Sequence, residues 1–219
     1  MYNERAYKLG SKRSTIREIF EYAKKRSGEI GAENVFDFSI GNPSVPAPDA
    51  VNEAIVRIVN EMPSVALHGY TSAQGDKGVR DKIAANYTKR FGVALSGDDL
   101  YMTCGAAASL TVTLRALTCE GDEFIVFAPF FPEYAVFVQG AGAKLTVLAS
   151  DPKTMLPDFA ALEKALNPHV KGVLINSPNN PSGVVYGEET LKSWRDCWRK
   201  NRRNTAIPFI LYRTSRTVN

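Results

Sequence analysis

The chain has 219 residues and a formal net charge of +4 at pH 7, and 44% of its residues are hydrophobic. This composition allows a sizeable core and excludes disorder as the default state, and the lack of any apolar run of about eighteen residues argues against a membrane-spanning helix. The three cysteines, Cys104, Cys119 and Cys197, have no CxxC spacing, and no apolar stretch follows the charged N-terminus, so we expect a cytoplasmic protein with reduced thiols and neither a zinc site nor a secretory signal.

The first part of the chain is predicted to be mainly helical. Apolar residues at helical spacing predict a helix over 14–31. Further helices are predicted over 48–62, which opens with a proline, and over 75–92, which ends at a glycine. The alternating stretch 35–43 predicts a short strand that stops at Gly-Asn-Pro.

From about residue 98 onward, strand patterns and helix patterns alternate. Strands are predicted over 98–105, 122–129, 143–150 and 170–178, and helices over 106–118, 131–142, 157–167 and from 187 to 193. This alternation predicts an α/β fold, a three-layer α/β/α sandwich with a mostly parallel sheet. Ligands of such sheets bind at the carboxyl ends of the strands, so the loops around 103–107, 128–134 and 176–183 are the candidate binding loops.

The stretch TCGAAASL, residues 103–110, is a small-residue turn that leads into a predicted helix. Free N–H groups and the positive end of the helix dipole form a site for an anion, typically phosphate. Small side chains let a phosphate approach the backbone of Gly105, Ala106 and Ala107. Taken alone, the stretch is better explained by tight packing of the helix on the sheet.

The stretch APFFPEY, residues 128–134, places two phenylalanines just past a predicted strand end. The ring of Phe131 can lie flat on a planar ligand ring, a contact with its own preferred geometry. Taken alone, burial of both phenylalanines in the core is the more common outcome.

The stretch NSPNNPSG, residues 176–183, is the sharpest signal in the chain. Adjacent asparagines with prolines on either side predict a rigid loop whose amides have fixed directions. With the two other loops, it resembles the class I/II aminotransferases, which are pyridoxal-phosphate enzymes of fold type I. The resemblance covers residues 14–193 in the family's order, and it implies an incomplete large domain with the N-terminal segment of a small domain.

The resemblance assigns roles to the three loops. The asparagine of N-P-[ST]-G donates to the phenolic oxygen of pyridoxal 5'-phosphate, and this residue is Asn180, which we also expect at the substrate. Gly105, Ala106 and Ala107 match the family's phosphate site. Phe131 matches the aromatic residue that stacks on the cofactor ring, and Tyr134 aligns with a second aromatic residue, which we expect near the substrate.

Two stretches in the first half of the chain also match the family. FSIGNPS, residues 38–44, resembles the segment whose glycine backbone contacts the substrate carboxylate, which implies this role for Gly41. HGYTSAQGDKGVRDKIA, residues 68–84, resembles the segment whose tyrosine reaches the phosphate in the neighbouring subunit's site. The matching residue is Tyr70, and the resemblance therefore implies a homodimer.

Three residues of the family's chemistry have no match in this sequence. They are the aspartate that faces the pyridine nitrogen, the lysine that forms the Schiff base and the arginine that binds the substrate carboxylate. No lysine follows Lys200. The resemblance therefore implies an aminotransferase acting on an amino acid and a 2-oxo acid, and we expect the present chain to be an inactive fragment of it.

Residues 194–219 depart from the family's pattern. They hold seven Arg or Lys against one Asp, whereas the rest of the chain has 20 basic and 22 acidic residues. Codons that fit this stretch, read one nucleotide earlier, encode LAGLLEEKQKEYGHPIYTLSDEPYRE, which has an amphipathic helix, a strand and the family's Asp-x-x-Tyr. We therefore expect that one base was lost near the Ser193 codon and that 194–219 is an out-of-frame tail whose charge has no function.

The predicted domains are an N-terminal arm with a small-domain segment over 1–45, a partial cofactor-binding large domain over 46–193, and the tail over 194–219. Two alternatives stay open at this point. The chain could be a non-catalytic module that binds pyridoxal phosphate or a partner protein, or its basic tail could bind single-stranded nucleic acid. We expect neither a nucleic-acid partner nor a membrane surface, because basic and aromatic residues do not interleave in the body and the tail has no wide apolar face.

Overall fold

The structure is a computed structural model that describes residues 2, 4–11, 15–41, 45–201 and 210–211. The chain forms two compact units, Met1–Met102 and Thr103–Asn219. The described part of the first unit contains helices and turns, whereas the second unit contains a parallel sheet between helices. The predicted domain boundaries at 45/46 and 193/194 stay predictions.

The first unit contains five α-helices among its described residues, together with two 3₁₀ turns, Ala32–Asn34 and Gly97–Asp99. The α-helices are α1 (Glu4–Ser11), α2 (Thr15–Ile30), α3 (Asp49–Glu61), α4 (Ser64–His68) and α5 (Lys77–Phe91). The helices predicted over 14–31, 48–62 and 75–92 are therefore confirmed as α2, α3 and α5, while α1 and α4 were not predicted.

Helix α5 is capped at both ends by residue types that commonly cap helices. The side chain of Asp76 accepts a hydrogen bond from the backbone N–H of Val79 at 2.9 Å, which satisfies a donor of the first turn. At the other end, Gly92 has a φ of 66°, the left-handed conformation that glycine adopts without strain. These two residues explain why the helix begins and ends where it does.

Two strand predictions, over 35–43 and 98–105, are wrong. Residues 35–41 form no strand, and the side chains of Phe36 and Phe38 are 81% and 92% exposed; residues 42–43 of this prediction lie outside the described residues. In the prediction over 98–105, residues 97–99 form a 3₁₀ turn and 100–105 pair with no strand. Alternating apolar residues become a strand only when another strand supplies backbone partners.

The second unit alternates strands and helices as predicted. Its described elements are α6 (Ala106–Leu117), β1 (Glu123–Ala128), α7 (Glu133–Gly140), β2 (Lys144–Ala149), α8 (Phe159–Ala165), β3 (Val170–Ile175), α9 (Glu188–Asn201) and β4 (Ile210–Leu211). The sheet has the order β2-β1-β3-β4, and every pair of neighbouring strands is parallel. The predicted α/β fold with a parallel sheet is confirmed.

Residues along β1 alternate between two cores, one on each face of the sheet. Phe124 and Val126 pack with helices α6 and α7, through residues such as Leu114. Ile125 and Phe127 pack on the other face with α8 and α9, through residues that include Leu162, Trp194 and Cys197. This period of two is what a strand buried on both faces requires, and it gives the second unit its three layers.

Helix α9 runs across the predicted 193/194 boundary. Trp194 is 3% exposed, and its ring makes edge-to-face contacts with Phe127 at 5.6 Å and with Phe159 at 5.1 Å between centroids. Cys197 is also buried in this core. Residues 202–209 and 212–219 of the predicted tail lie outside the described residues, and the frameshift stays a prediction about the gene.

Candidate active site

Two loops of the second unit follow neighbouring strands at one edge of the sheet, and a third precedes helix α6. Strands β1 and β3 are parallel neighbours, with Val126 opposite Leu174, so their carboxyl ends lie side by side. Helix α6 ends at Leu117, shortly before β1 begins at Glu123, and it packs against β1. A helix of this length spans about as much as the strand, roughly 18 Å, so its N-terminus lies near the carboxyl edge of the sheet.

The N-terminus of α6 presents backbone N–H groups that no side chain caps. Gly105 precedes the helix with a φ of 95°, and no heavy atom lies within 4 Å of the position that a Cβ would occupy there. The Oγ1 of Thr103 lies 2.5 Å from the Oγ of Ser109 and donates to the carbonyl of Gly105 at 3.1 Å, which ties the turn to the first turn of the helix. Ala106 and Ala107 therefore offer their N–H groups on a turn that side-chain hydrogen bonds hold in place.

The loop after β1 and the first turn of α7 together supply an aromatic pair. The ring of Phe131 is half-buried and meets the ring of Tyr134 edge to face, with 5.6 Å between centroids. Tyr134 is only 3% exposed and packs in the core with Val138 and Leu174. Tyr134 thus supports Phe131 from the core side, and its predicted role at the substrate stays a prediction.

The loop after β3 uses two of its three asparagines internally. Asn176 is buried and donates to the backbone carbonyl of Pro178 at 3.0 Å. Asn179 accepts from the hydroxyl of Ser182 at 2.8 Å and donates to Asn176 at 3.2 Å. Asn180 is exposed, and within the described part of the chain its carboxamide has no hydrogen-bond partner. Of the three, Asn180 is the one available to a ligand.

Gly41 and Tyr70 belong to the first unit, and both are exposed there. The ring of Tyr70, which follows α4, is fully exposed. Their roles at the substrate carboxylate and at a neighbouring subunit's phosphate stay predictions.

The sequence interpretation missed the residues that hold these loops. The Thr103–Ser109 pair, Asn179 and Tyr186 make loop contacts that sequence spacing does not reveal. Burial raises the pKa of the Tyr186 hydroxyl, and a hydrogen bond with the Asn179 side chain opposes this shift in part. The signal in the sequence was the density of polar residues in NSPNNPSG, which predicts a rigid loop but does not separate binding residues from supporting ones.

The described residues contain no cluster of three or more His, Cys, Asp or Glu side chains that could hold a metal ion. Among the described helices, none is long and apolar enough to cross a membrane.

The sequence of this chain is similar to those of known aminotransferases. A family profile described as "Aminotransferase class I and II" matches residues 33–209. An aspartate aminotransferase from Thermotoga maritima is 35% identical over 161 residues, 73% of this chain and 42% of that protein. A glutamate–pyruvate aminotransferase from Escherichia coli is 30% identical over 168 residues, 76% of this chain and 41% of that protein.

A solved structure has a similar fold over most of this chain. The crystal structure of an amino transferase from Eubacterium rectale has a TM-score of 0.92 and 53% sequence identity, and the match covers 97% of this chain and 54% of that one. The chain thus spans under half the length of these two curated relatives and about half of this solved structure. On the profile match and these relatives, the chain belongs to the aminotransferase class I and II family.

Proposed function

We propose that this chain is the N-terminal part of an aminotransferase that moves an amino group between an amino acid and a 2-oxo acid, and that it binds pyridoxal 5'-phosphate at the carboxyl edge of its sheet. The observation that carries this proposal is the free carboxamide of Asn180 in a loop whose other asparagines are engaged. Relatives that are named as aminotransferases of aspartate, and of glutamate and pyruvate, support an amino-acid substrate.

The residues at this edge suit the phosphate, the ring and the phenolic oxygen of the cofactor. The uncapped N–H groups of Ala106 and Ala107 suit a phosphate, because they supply donors at the positive end of a helix. The half-buried ring of Phe131, supported by Tyr134, suits a planar ring. The carboxamide of Asn180 can donate to a phenolic oxygen.

When bound, pyridoxal phosphate supplies an electron sink for charge at the α-carbon of an amino acid. The described residues would anchor and orient it. Ala106 and Ala107 would hold the phosphate, Phe131 would hold the plane of the ring, and the hydrogen bond from Asn180 would stabilise negative charge on the phenolic oxygen. We assign to Gly41 a backbone contact with the substrate carboxylate, and to Asn180 and Tyr134 positions near the substrate.

We infer that the 219-residue chain does not carry out transamination by itself. No lysine in the sequence follows Lys200, and Lys200 is exposed on α9. A hydrogen bond from its Nζ to Glu163, at 2.9 Å, raises its pKa and favours the protonated ammonium, which is not a nucleophile. Lys200 is therefore unsuited to the role of the family's lysine.

We also infer a homodimer and a cytoplasmic location for the complete enzyme. The fully exposed ring of Tyr70 supports a contact with a neighbouring subunit. The free thiols of Cys104, Cys119 and Cys197 support a reducing compartment.

Calorimetric titration with pyridoxamine 5'-phosphate tests the proposed site, since this ligand lacks the aldehyde that would react with surface lysines. We expect the full chain to bind it, and Asn180→Ala to weaken binding about tenfold, as expected for loss of one hydrogen bond to a charged group. The matched control is Asn52→Ala, an exposed asparagine on α3, which should leave the affinity unchanged. Equal affinities of the wild type and Asn180→Ala would refute the assignment.

A further inference from the structure

Asn179 is the side chain that ties together the loop after β3. Its Oδ1 accepts hydrogen bonds from the backbone N–H and the hydroxyl of Ser182, at 3.2 and 2.8 Å. Its Nδ2 donates to Oδ1 of Asn176 at 3.2 Å. Both polar groups of this carboxamide are therefore engaged by the loop itself.

The backbone of Asn179 is held as firmly as its side chain. Its N–H donates to the carbonyl of Val184 at 2.8 Å, and its carbonyl accepts from the N–H of Gly183 at 2.7 Å. The backbone is therefore held by hydrogen bonds on both sides of the Asn179 Cα, and Asn180 directly follows this fixed residue.

This network is anchored in the core at two points. Asn176 is 2% exposed and directly follows β3, so its carboxamide is placed by a buried strand. Tyr186 is also buried, and it donates its N–H to the hydroxyl of Ser177 at 2.9 Å. Asn179 therefore connects the end of the strand to the returning part of the loop.

We propose that Asn179 is a positioning residue, which holds the carboxamide of Asn180 in the direction of the cofactor's phenolic oxygen. This inference rests on the proposed function. Asn179 touches no ligand and acts through Asn180, because the strength of a hydrogen bond falls steeply when its donor is misaligned. A shift of the loop by about 1 Å is sufficient to lose the benefit of a well-placed donor.

The test compares two ligands that differ at one atom. Pyridoxamine 5'-phosphate has the phenolic oxygen, and its 3-deoxy analogue lacks it. We expect the full wild-type chain to prefer pyridoxamine 5'-phosphate about tenfold by calorimetric titration, and Asn180→Ala to bind both ligands equally.

Asn179→Ala decides the inference. We expect it to lose the tenfold preference while its affinity for the 3-deoxy analogue stays at the wild-type value. The double variant of Asn179 and Asn180 should then match Asn180→Ala, because both changes remove the same contact. If Asn179 had only a general structural role, Asn179→Ala would instead weaken the binding of both ligands equally. That result overturns the inference, and so does an Asn179→Ala variant that keeps the tenfold preference.

The outcomes separate this inference from the proposed function. If the wild type binds neither ligand, the proposed function is wrong and the inference is overturned with it. If Asn180→Ala loses the preference and Asn179→Ala keeps it, the proposed function stands and the positioning role is wrong. If circular dichroism shows that Asn179→Ala is unfolded, Ser182→Ala replaces it. This change removes the 2.8 Å bond from the Ser182 hydroxyl to Asn179, together with a longer 3.4 Å bond that the hydroxyl accepts from the N–H of Val184. We expect the preference of Ser182→Ala to fall to about threefold, and a full tenfold preference would overturn the inference.

Discussion

Ala107 lies in the proposed anion site, which consists of backbone groups rather than charged side chains. Its side chain is exposed in the first turn of α6, where N–H groups have no side-chain cap. A carboxylate placed there would stabilise the helix by about 0.3–1 kcal/mol through the helix dipole. The same carboxylate would repel a bound phosphate.

We therefore expect Ala107→Glu to weaken binding of pyridoxamine 5'-phosphate at least tenfold without lowering the free energy of unfolding. Calorimetric titration and urea unfolding measure the two quantities. Ala107→Gln is the control of similar size, and it should bind markedly better than the glutamate variant. Equal affinities of the two variants would mean that no phosphate is held at this turn.

Glu123, the first residue of β1, has a structural role. It is 8% exposed and accepts hydrogen bonds from Thr146, from Lys144 at 3.2 Å and from Asn167 at 3.4 Å. Burial raises its pKa, but these hydrogen bonds, with the charge of Lys144, lower it by more, so the net pKa is below its ordinary value. The carboxylate thus joins β1 to β2 and to the residues before β3.

The lowered pKa gives the stability a defined pH dependence. The contribution of Glu123 is fully present above its unfolded pKa of about 4.3 and is lost as the pH falls through its lower folded pKa. We expect Glu123→Gln to reduce the free energy of unfolding by about 1–2 kcal/mol at pH 7. Urea unfolding between pH 7 and pH 3 should show this difference shrinking below about pH 4.5; a difference that stays constant would exclude the carboxylate as its cause.

At the residue scale, the sequence was informative about which loop to inspect and less so about which residue does what. Asn180 was selected as a binding residue because its motif is specific, and this role stays a prediction. The supporting role of Asn179 was not visible, since adjacent asparagines are chemically identical until the fold engages one of them. For Tyr134, alignment alone cannot distinguish a ring facing the substrate from the buried ring that the structure contains.

At the scale of elements, the first three strands of the second unit were predictable. Strands β1, β2 and β3 each lie within predicted ranges, because an apolar strand between helical patterns has few alternatives. The stretch 35–41 alternates in the same way but has no strand partner among the described residues, and Phe36 and Phe38 stay exposed. Pairing is a property of the fold, so local alternation cannot supply it.

Helix α9 extends into residues 194–201, which we propose to be translated out of frame. The shifted reading has leucine at positions 194 and 197, where this sequence has the buried Trp194 and Cys197. Both readings therefore keep apolar residues at these two core positions. Burial raises the pKa of the Cys197 thiol, and nearby Glu163 raises it further while Lys200 partly opposes this, so the thiol stays neutral in the core.

We expect α9 to contribute to stability through Trp194. Trp194→Ala should lower the free energy of unfolding by about 3–5 kcal/mol, because it removes a large buried ring from between Phe127 and Phe159. Arg195→Ala, a change at an exposed neighbour, is the control and should cost little.

Thiol labelling checks the same packing in the unaltered chain. Cys104 and Cys119 are exposed and should react in the native state, whereas Cys197 should react only after denaturation. Equal labelling rates at all three thiols would show that α9 does not pack on the sheet.

At the scale of the whole molecule, the chain contains the three loops that we propose to orient the cofactor, while its sequence has no match for the family's Schiff-base lysine. We expect the purified chain to show no steady transamination with amino acids and 2-oxo acids in the presence of pyridoxal 5'-phosphate. A complete family member assayed under the same conditions is the control. Continuous formation of a new 2-oxo acid by this chain would contradict the proposal.

The gene itself offers a separate check on residues 194–219. Sequencing across the Ser193 codon should show that the nucleotides read one position earlier encode the Asp-x-x-Tyr peptide. A gene without that reading would mean that the basic residues are the intended sequence.

The central claim is that pyridoxal phosphate binds at the carboxyl edge of the sheet through the α6 turn and Asn180. The most direct test is to titrate the ¹⁵N-labelled chain with pyridoxamine 5'-phosphate and follow its amide signals by NMR. We predict that the backbone signals of Gly105, Ala106 and Ala107 and the side-chain NH₂ of Asn180 shift together, while the side-chain NH₂ of Asn52 does not. Shifts confined to the basic residues after Trp194, or no shifts at all, would contradict the account.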